Sequence, residues 1–576
     1  MLISKKDVTL LKLIAGQTIK NRNMNSFSFD ISYRFDISYI FDRSYRTLRM
    51  LLLCVCWLTV GLGGFHDSLG EASAQTYTNP VIHADFSDPD VCGGDEGFWM
   101  TASSFQCIPG LPILHSYDLV HWTTVNYALR ELLPREVFDT PQHGRGVWAP
   151  SIRRHLNTYY IYWGDPDYGV FMVKTDDPYG RWDDPVLVLE AKGVIDTCPL
   201  WDDDGRVYLV NGWAASRAGF NSVLTVRELS SDGTRVIGEP RLVYDGLPDG
   251  NHTIEGPKFY KRNGYYYILA PAGGVAQGWQ VALRSRDVFG PYEARTVMAQ
   301  GSSDINGPHQ GGWVETPQGE HWFLNFQDKG AYGRVVHLNP MQWKNDWPVI
   351  GVDKDGDGCG EPVSTYAMPH LKAPKIKEPT DWRLDYQWQA NYKDVYGMAK
   401  ADGAMRIYSW TKPEGERNLW NEPNMWLTKL TGETMVYAAT MTVYAKADGE
   451  QAGFIVMGKN YSRMAVELRG KEFVLKQIDC VKADAGGTET ETVVATLPAT
   501  TIGAGAKAAQ TCTVSMQLKV TKGARCQMTY STDGRAFKPF GHAFTAEEGK
   551  WIGAKIGFYA IDGGTDKGWM DAKRDL

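Results

Sequence analysis

Five times between Gly97 and Gln327 the chain repeats one local pattern: a turn ending in Gly or Asn, then a strand dense in aromatic residues. The instances are GFWMTASS at Gly97, NTYYIYWG at Asn157, GRVYLVNGW at Gly205, GYYYILAPA at Gly264 and GEHWFLNFQ at Gly319. The intervals are 60, 48, 59 and 55 residues. Almost no 3.6-residue period interrupts them, and units of this length with several short strands each point to a β-propeller. Five blades of four strands fill the span from Thr76 to about Ile350. Nine residues before each turn stand Asp88, Trp148, Asp196, Glu255 and Gln310. The first strand of a blade lines the central channel, so equivalent positions form a ring around one axis. The repeat therefore predicts that three acids, far apart in sequence, meet at one mouth of the channel.

Three carboxylates together are costly unless they are paired, protonated or bound to something. Two carboxyls across a pocket are the machinery of glycoside hydrolysis: one protonated to give its proton to the leaving oxygen, the other ionised to activate water or attack carbon. A third raises the pKa of the acid by like-charge repulsion. Glu255, between Ile254 and a Gly-Pro turn, is the candidate general acid. Asp88 is the candidate general base, and Asp196 would orient and tune Glu255. The ring alone does not fix this assignment. The chain's formal charge of −7 argues against nucleic acid or an anionic membrane as partner. A neutral ligand fits better, and aromatic faces suit sugar rings.

The segments NPVIHADFSDPD, SSFQCIPGLPILHSYDLVHW, GVWAPSI, IDTCPLWDDDG, IEGPKFYK and GPHQGGWVET with GRVVHLNPMQW together resemble glycoside hydrolase family forty-three, in its branch of exo-acting β-xylosidases and α-L-arabinofuranosidases. The likeness runs from about Tyr77 to Ile350. It implies a five-bladed propeller and inversion at the anomeric carbon, with Asp88 as base, Asp196 as pKa modulator and Glu255 as acid. It also implies that Arg334 grips hydroxyls of the terminal sugar. Trp148 and Phe105 would wall its pocket, with Gln310 in the same layer. His309 resembles a channel histidine that binds a calcium ion, directly or through water, in some members. No organic cofactor is implied. The chain departs from the family at QCIPG, which leaves xylose and arabinofuranose both open. Endo-arabinanase and a non-catalytic sugar-binding propeller are the alternative readings.

Residues 46–74 read as a secretory signal peptide: Arg46 and Arg49, an apolar run from Met50, then Ala72 and Ala74 in an A-x-A pattern. The expected location is secreted or periplasmic, with no membrane contact after cleavage. Met24 or Met50 can serve as the start. Nothing in the sequence sets an oligomeric state. Of the seven cysteines after Gln75, one or two pairs can bridge, Cys92–Cys107 among them. Asp353, Asp355 and Asp357 mimic half of an EF-hand loop, but its twelfth position is Ser364, so a polar turn is the better reading. The expected domains are the N-terminal extension and signal (1–74), the propeller (75–365), a linker rich in Pro and Lys (366–380) and an all-β jelly-roll sandwich (381–576). The sandwich resembles the lectin-like module of family β-xylosidases, which packs on the propeller and can place a loop over the pocket.

Overall fold

The computed structural model describes residues 75–371, 381–505, 508–562 and 567–575. The expected signal peptide and most of the expected linker lie outside them. Five four-stranded antiparallel sheets follow one another, each ordered as it runs in sequence. Their innermost strands are Asp90–Gly94, Trp148–His155, Val194–Trp201, Lys258–Arg262 and His309–Glu315. The aromatic runs are the second strands, such as Thr158–Asp165 and Tyr265–Ala272. They are buried on both faces, between neighbouring blades, which is why they read as near-continuous apolar stretches rather than alternating ones.

The ring closes without exchanging a strand. The innermost strand of blade five lies against that of blade one. A Cβ added at Gly312 would fall 2.4 Å from Asp90 Oδ1, so the approach there is tight. The segment before blade one also runs along blade five: Ile82 and Val336 exchange both backbone hydrogen bonds, and Tyr77 Oη donates to Leu338 O at 2.8 Å. Thr76–Thr78 pairs with Thr365–Ala367, so the chain is still tied to the propeller at Ala367, past the position where the linker was expected to begin.

From Gln387 onward the chain forms two stacked antiparallel sheets of seven and eight strands. Alternating residues of both, such as Phe454, Val466, Met516 and Phe558, fill one core. RMAVELRGKEFVLKQI is a hairpin of two strands, turned at Gly470. The sandwich packs on the propeller. Trp388 and Ile108 exchange backbone hydrogen bonds of 2.6 and 3.1 Å, Asn391 holds Leu132 from both sides, and His143 stacks on Trp420 at 3.9 Å.

Two sequence expectations meet their test here. The Cys92–Cys107 bridge does not form: all seven cysteines are free. Cys92 sits opposite Trp99 in the innermost pair of blade one, whereas Cys107 faces the sandwich and accepts from Lys555 Nζ at 3.0 Å. Asp353, Asp355 and Asp357 form a polar turn whose carboxylates cap backbone amides of Gly356, Asp357 and Cys359. No helix among the described residues is long and apolar enough to cross a membrane.

Candidate active site

The five ring positions do converge. Asp88, Trp148, Asp196, Glu255 and Gln310 line one cavity of about 110 Å³ at a mouth of the channel, joined by Phe105, His309 and Arg334. Every site residue nominated from sequence is in this wall.

Local backbone geometry turns these side chains inward. The ladder slips between Trp148 and Ser151, between Ile195 and Cys198, and between His309 and Gly311. A bulge at the same place in three blades breaks the pairing and re-aims a side chain into the channel. Asp88 and Asp196 also adopt left-handed conformations, with φ of 55° and 57°. The glycine after Glu255 is required twice over. Gly256 has φ 58°, and a Cβ there would meet the Gln310 side chain at 2.6 Å.

The three acids have different surroundings. Asp88 accepts from Ser103 Oγ at 2.6 Å, from Ser87 Oγ at 2.9 Å and, at the edge of hydrogen-bond range, from an Arg334 guanidinium nitrogen at 3.5 Å. Ser103 is itself fixed, because its oxygen accepts the Ala149 amide at 2.8 Å. Asp196 accepts the Gly256 amide at 2.8 Å and Gln310 Nε2 at 3.3 Å. Lys258, fully buried below it, and Arg334 favour its charged form, while burial and the Asp88 charge push its pKa up. The Glu255 carboxyl receives no hydrogen bond from the described residues. Its side chain keeps 32% of its surface and lines the pocket. Burial, then the charges of Asp196 and Asp88, raise its pKa well above the ordinary carboxyl range. Asp196 and Glu255 titrate as a pair. The donors and cations gather around Asp196, so the shared proton resides on Glu255.

Arg334 is 8% exposed and lines the pocket; it donates to Ser87 Oγ at 2.6 Å and lies over the Phe326 ring. Burial drives the His309 imidazole down to about 3, so the ring is neutral. Its Nε2 lies 3.5 Å from Glu255 Oε1, and neither nitrogen has a hydrogen-bond partner among the described residues. A neutral imidazole so placed fits a water, including one held by an ion. It fits direct calcium ligation less well, since calcium takes six to eight oxygens and, among the described residues, Glu255 alone brings a carboxylate within 4.0 Å of the ring nitrogens.

Sequence reasoning missed part of the wall. Trp551, from the sandwich, closes one side, with the Arg334 guanidinium 5.8 Å from its ring. No repeat pointed to it, because it stands in EEGKWIGAK, outside the periodic half of the chain. Its loop is anchored at Asp85, whose two oxygens take the Arg334 amide (2.9 Å) and the sandwich's Gly553 amide (3.0 Å). Ser87 and Ser103 stood inside the quoted motifs, but a hydroxyl facing an acid leaves no periodic mark.

Comparisons with known proteins agree with the propeller-and-sandwich fold. The family description "Glycosyl hydrolases family 43" matches residues 77–348, and "Beta xylosidase C-terminal Concanavalin A-like domain" matches residues 378–573. A putative beta-xylosidase of Xylanibacter ruminicola is 33% identical over 506 residues, covering 85% of this chain and 87% of that protein. A non-reducing end alpha-L-arabinofuranosidase of Bacteroides ovatus is 26% identical, covering 75% and 82%. The crystal structure of a GH43 protein from Bacillus licheniformis superposes with a TM-score of 0.71 at 23% identity, over 87% of this chain and 99% of that one.

Proposed function

The chain belongs to glycosyl hydrolases family 43 and is a glycoside hydrolase; from that premise we propose that it removes single terminal xylose or arabinofuranose units from plant cell-wall oligosaccharides, with inversion. The observation that carries this reading is the convergence of Asp88, Asp196 and Glu255 on one small cavity. An endo-acting arabinanase needs a cleft that passes a chain in both directions, and Phe105, Trp148 and Trp551 wall this one in. The relatives named for xylosidase and arabinofuranosidase activity support a pentose.

In the proposed reaction a water lies between Asp88 and the anomeric carbon. Asp88 accepts its proton as the carbon–oxygen bond forms. Glu255 gives its proton to the departing oxygen, and the cleaved sugar leaves with inverted configuration. Asp196 keeps Glu255 protonated by its charge, and the Gly256 amide holds Asp196 in place. Positive charge growing on the sugar ring is stabilised by the carboxylates beneath it. Arg334 binds hydroxyls of the same ring and orients Asp88 through Ser87. His309 would hold a calcium ion through one of the ion's waters, and the ion would supply positive charge to the pocket. Export to the periplasm or beyond follows from the signal-like segment ending near Ala74.

The test is a panel of nitrophenyl β-xyloside, nitrophenyl α-L-arabinofuranoside and debranched arabinan, with proton NMR of the first product formed. Release of one pentose with inverted anomeric configuration is expected, and no cleavage within arabinan. Asp88→Asn should lose at least about a thousandfold in turnover while still binding the sugar. Retained configuration, or cleavage inside the polymer, would overturn the reading.

A further inference from the structure

A second and roomier cavity, of about 520 Å³, runs between propeller and sandwich and shares no wall residue with the reaction pocket. Phe86, Trp122 and Tyr127 line it from the propeller; Trp382, Lys429 and Arg574 line it from the sandwich. The indole N–H groups of Trp122 and Trp382 are spent on Leu119 O and Gly403 O, so the rings present only apolar surface to the cavity. Thr123, Thr124 and Thr428 line the same cavity. Flat apolar rings beside hydroxyls suit the C–H faces and O–H edges of a sugar.

Two acids line this groove with Lys429 and Arg574, and each has another cation in contact: Asp381 pairs with Arg383 at 2.8 Å and Asp385 with Arg574 at 3.3 Å. The Lys429 ammonium lies 4.1 Å from the centre of the Phe86 ring and makes no hydrogen bond or ion pair with any described residue. The acids nearest to it are engaged elsewhere. Both oxygens of Asp85 take backbone amides, and Asp385 pairs with Arg574 at 3.3 Å. Burial, and then the Lys555 ammonium nearby, lower the Lys429 pKa to about 8, against the weaker pull of the Asp85 and Asp385 charges, neither of which touches it. A half-buried cation without a counter-ion is costly, and packing alone would favour an apolar side chain there.

We propose that this interdomain groove binds a uronic acid carried on a sugar chain, with Lys429 anchoring its carboxylate and Trp122 and Trp382 flanking its ring. The ligand must bring one negative charge, to match the single unpaired ammonium, on a hydroxylated ring, to match the walls. The site stands independently of which pentose the reaction pocket releases. It would let the protein hold an acid-decorated chain on one flank while it trims ends at the channel mouth.

Calorimetric titration of the full-length Asp88→Asn protein tests this, since the ligand then survives. The probes are a xylo-oligosaccharide bearing one glucuronic acid, the same oligosaccharide without it, and free glucuronate. The acidic oligosaccharide is expected to bind at least about tenfold tighter than the neutral one, with a preference that shrinks from low to high salt. Free glucuronate should displace it at higher concentration. A second substitution, Lys429→Met, should erase the preference and leave the neutral ligand's affinity unchanged. Equal binding of acidic and neutral ligands, a preference indifferent to salt, failure of glucuronate to compete, or a preference surviving Lys429→Met would each overturn the assignment. The salt and competition measurements need no change in the groove, so they decide the matter even if Lys429→Met fails to fold.

Discussion

Glu255 is the one acid of the three whose carboxyl receives no hydrogen bond from the described residues, and this sets how the site should respond to substitution and to pH. A general acid matters most when the leaving group is poor. Glu255→Gln should therefore cost about a thousandfold on xylobiose-like substrates and about tenfold or less on dinitrophenyl glycosides, measured as kcat/KM. Equal losses on both would place the proton donor elsewhere. The alkaline limb of the pH profile reports loss of the Glu255 proton, and it lies above the ordinary carboxyl range because burial and the Asp196 and Asp88 charges raise that pKa. Removing one of those charges makes ionisation easier. Asp196→Asn should thus move the alkaline limb of kcat/KM to lower pH, and a limb that stays put or rises would contradict the tuning role. At this scale the acids were legible in the sequence because each sits at one offset in a repeat. Ser87, Ser103 and Lys258 were not, since their roles arise from contacts between separate segments and leave no period.

Among the elements, the bulged innermost strands show why pattern reading found the ring but not its cause. Alternation predicts which face a residue takes; it does not predict where a ladder slips, and here the slips bring Trp148, Asp196 and Gln310 into the channel. The sandwich's loop at Trp551 lies beyond any such rule. As a wall of the sugar pocket it should act mainly on binding, so Trp551→Ala is expected to raise KM about tenfold with a smaller effect on kcat. The strap that precedes the sandwich strand Met425–Lys429 holds a buried acid outside the site. Glu422 is 1% exposed, takes only the Asn424 amide at 3.2 Å, and burial pushes it up to about 8. The unfolded chain sheds this proton above about 4.5 while the folded chain keeps it, so rising pH favours unfolding across that window. Glu422→Gln removes the group. Its melting temperature should match the parent's near pH 4, exceed it increasingly up to about pH 8, and hold a constant margin beyond. A margin independent of pH would show that the carboxyl is not the cause.

For the molecule as a whole, the propeller and the sandwich are joined by paired backbone bonds at Ile108 and Trp388, by Asn391 against Leu132, and by the buried Lys555–Cys107 contact. Losing one body would leave these polar groups buried without partners or newly bared to water. Calorimetry should therefore record a single unfolding transition for residues 75–576, and two well-separated peaks would contradict this coupling. The overall architecture was legible because both bodies announce themselves by strand period. That the sandwich packs on the propeller and can place a loop over the pocket came only from the family resemblance; the contacts themselves were not legible, since they are written in scattered side chains such as Asp85, whose two oxygens grip one amide from each body. That grip has a consequence for biosynthesis. Translation delivers the acids early and the tryptophan wall almost last, so a ribosome-bound or prematurely terminated polypeptide carries the reactive groups in an unfinished enclosure. Full affinity for the sugar is then a property gained only near the end of synthesis.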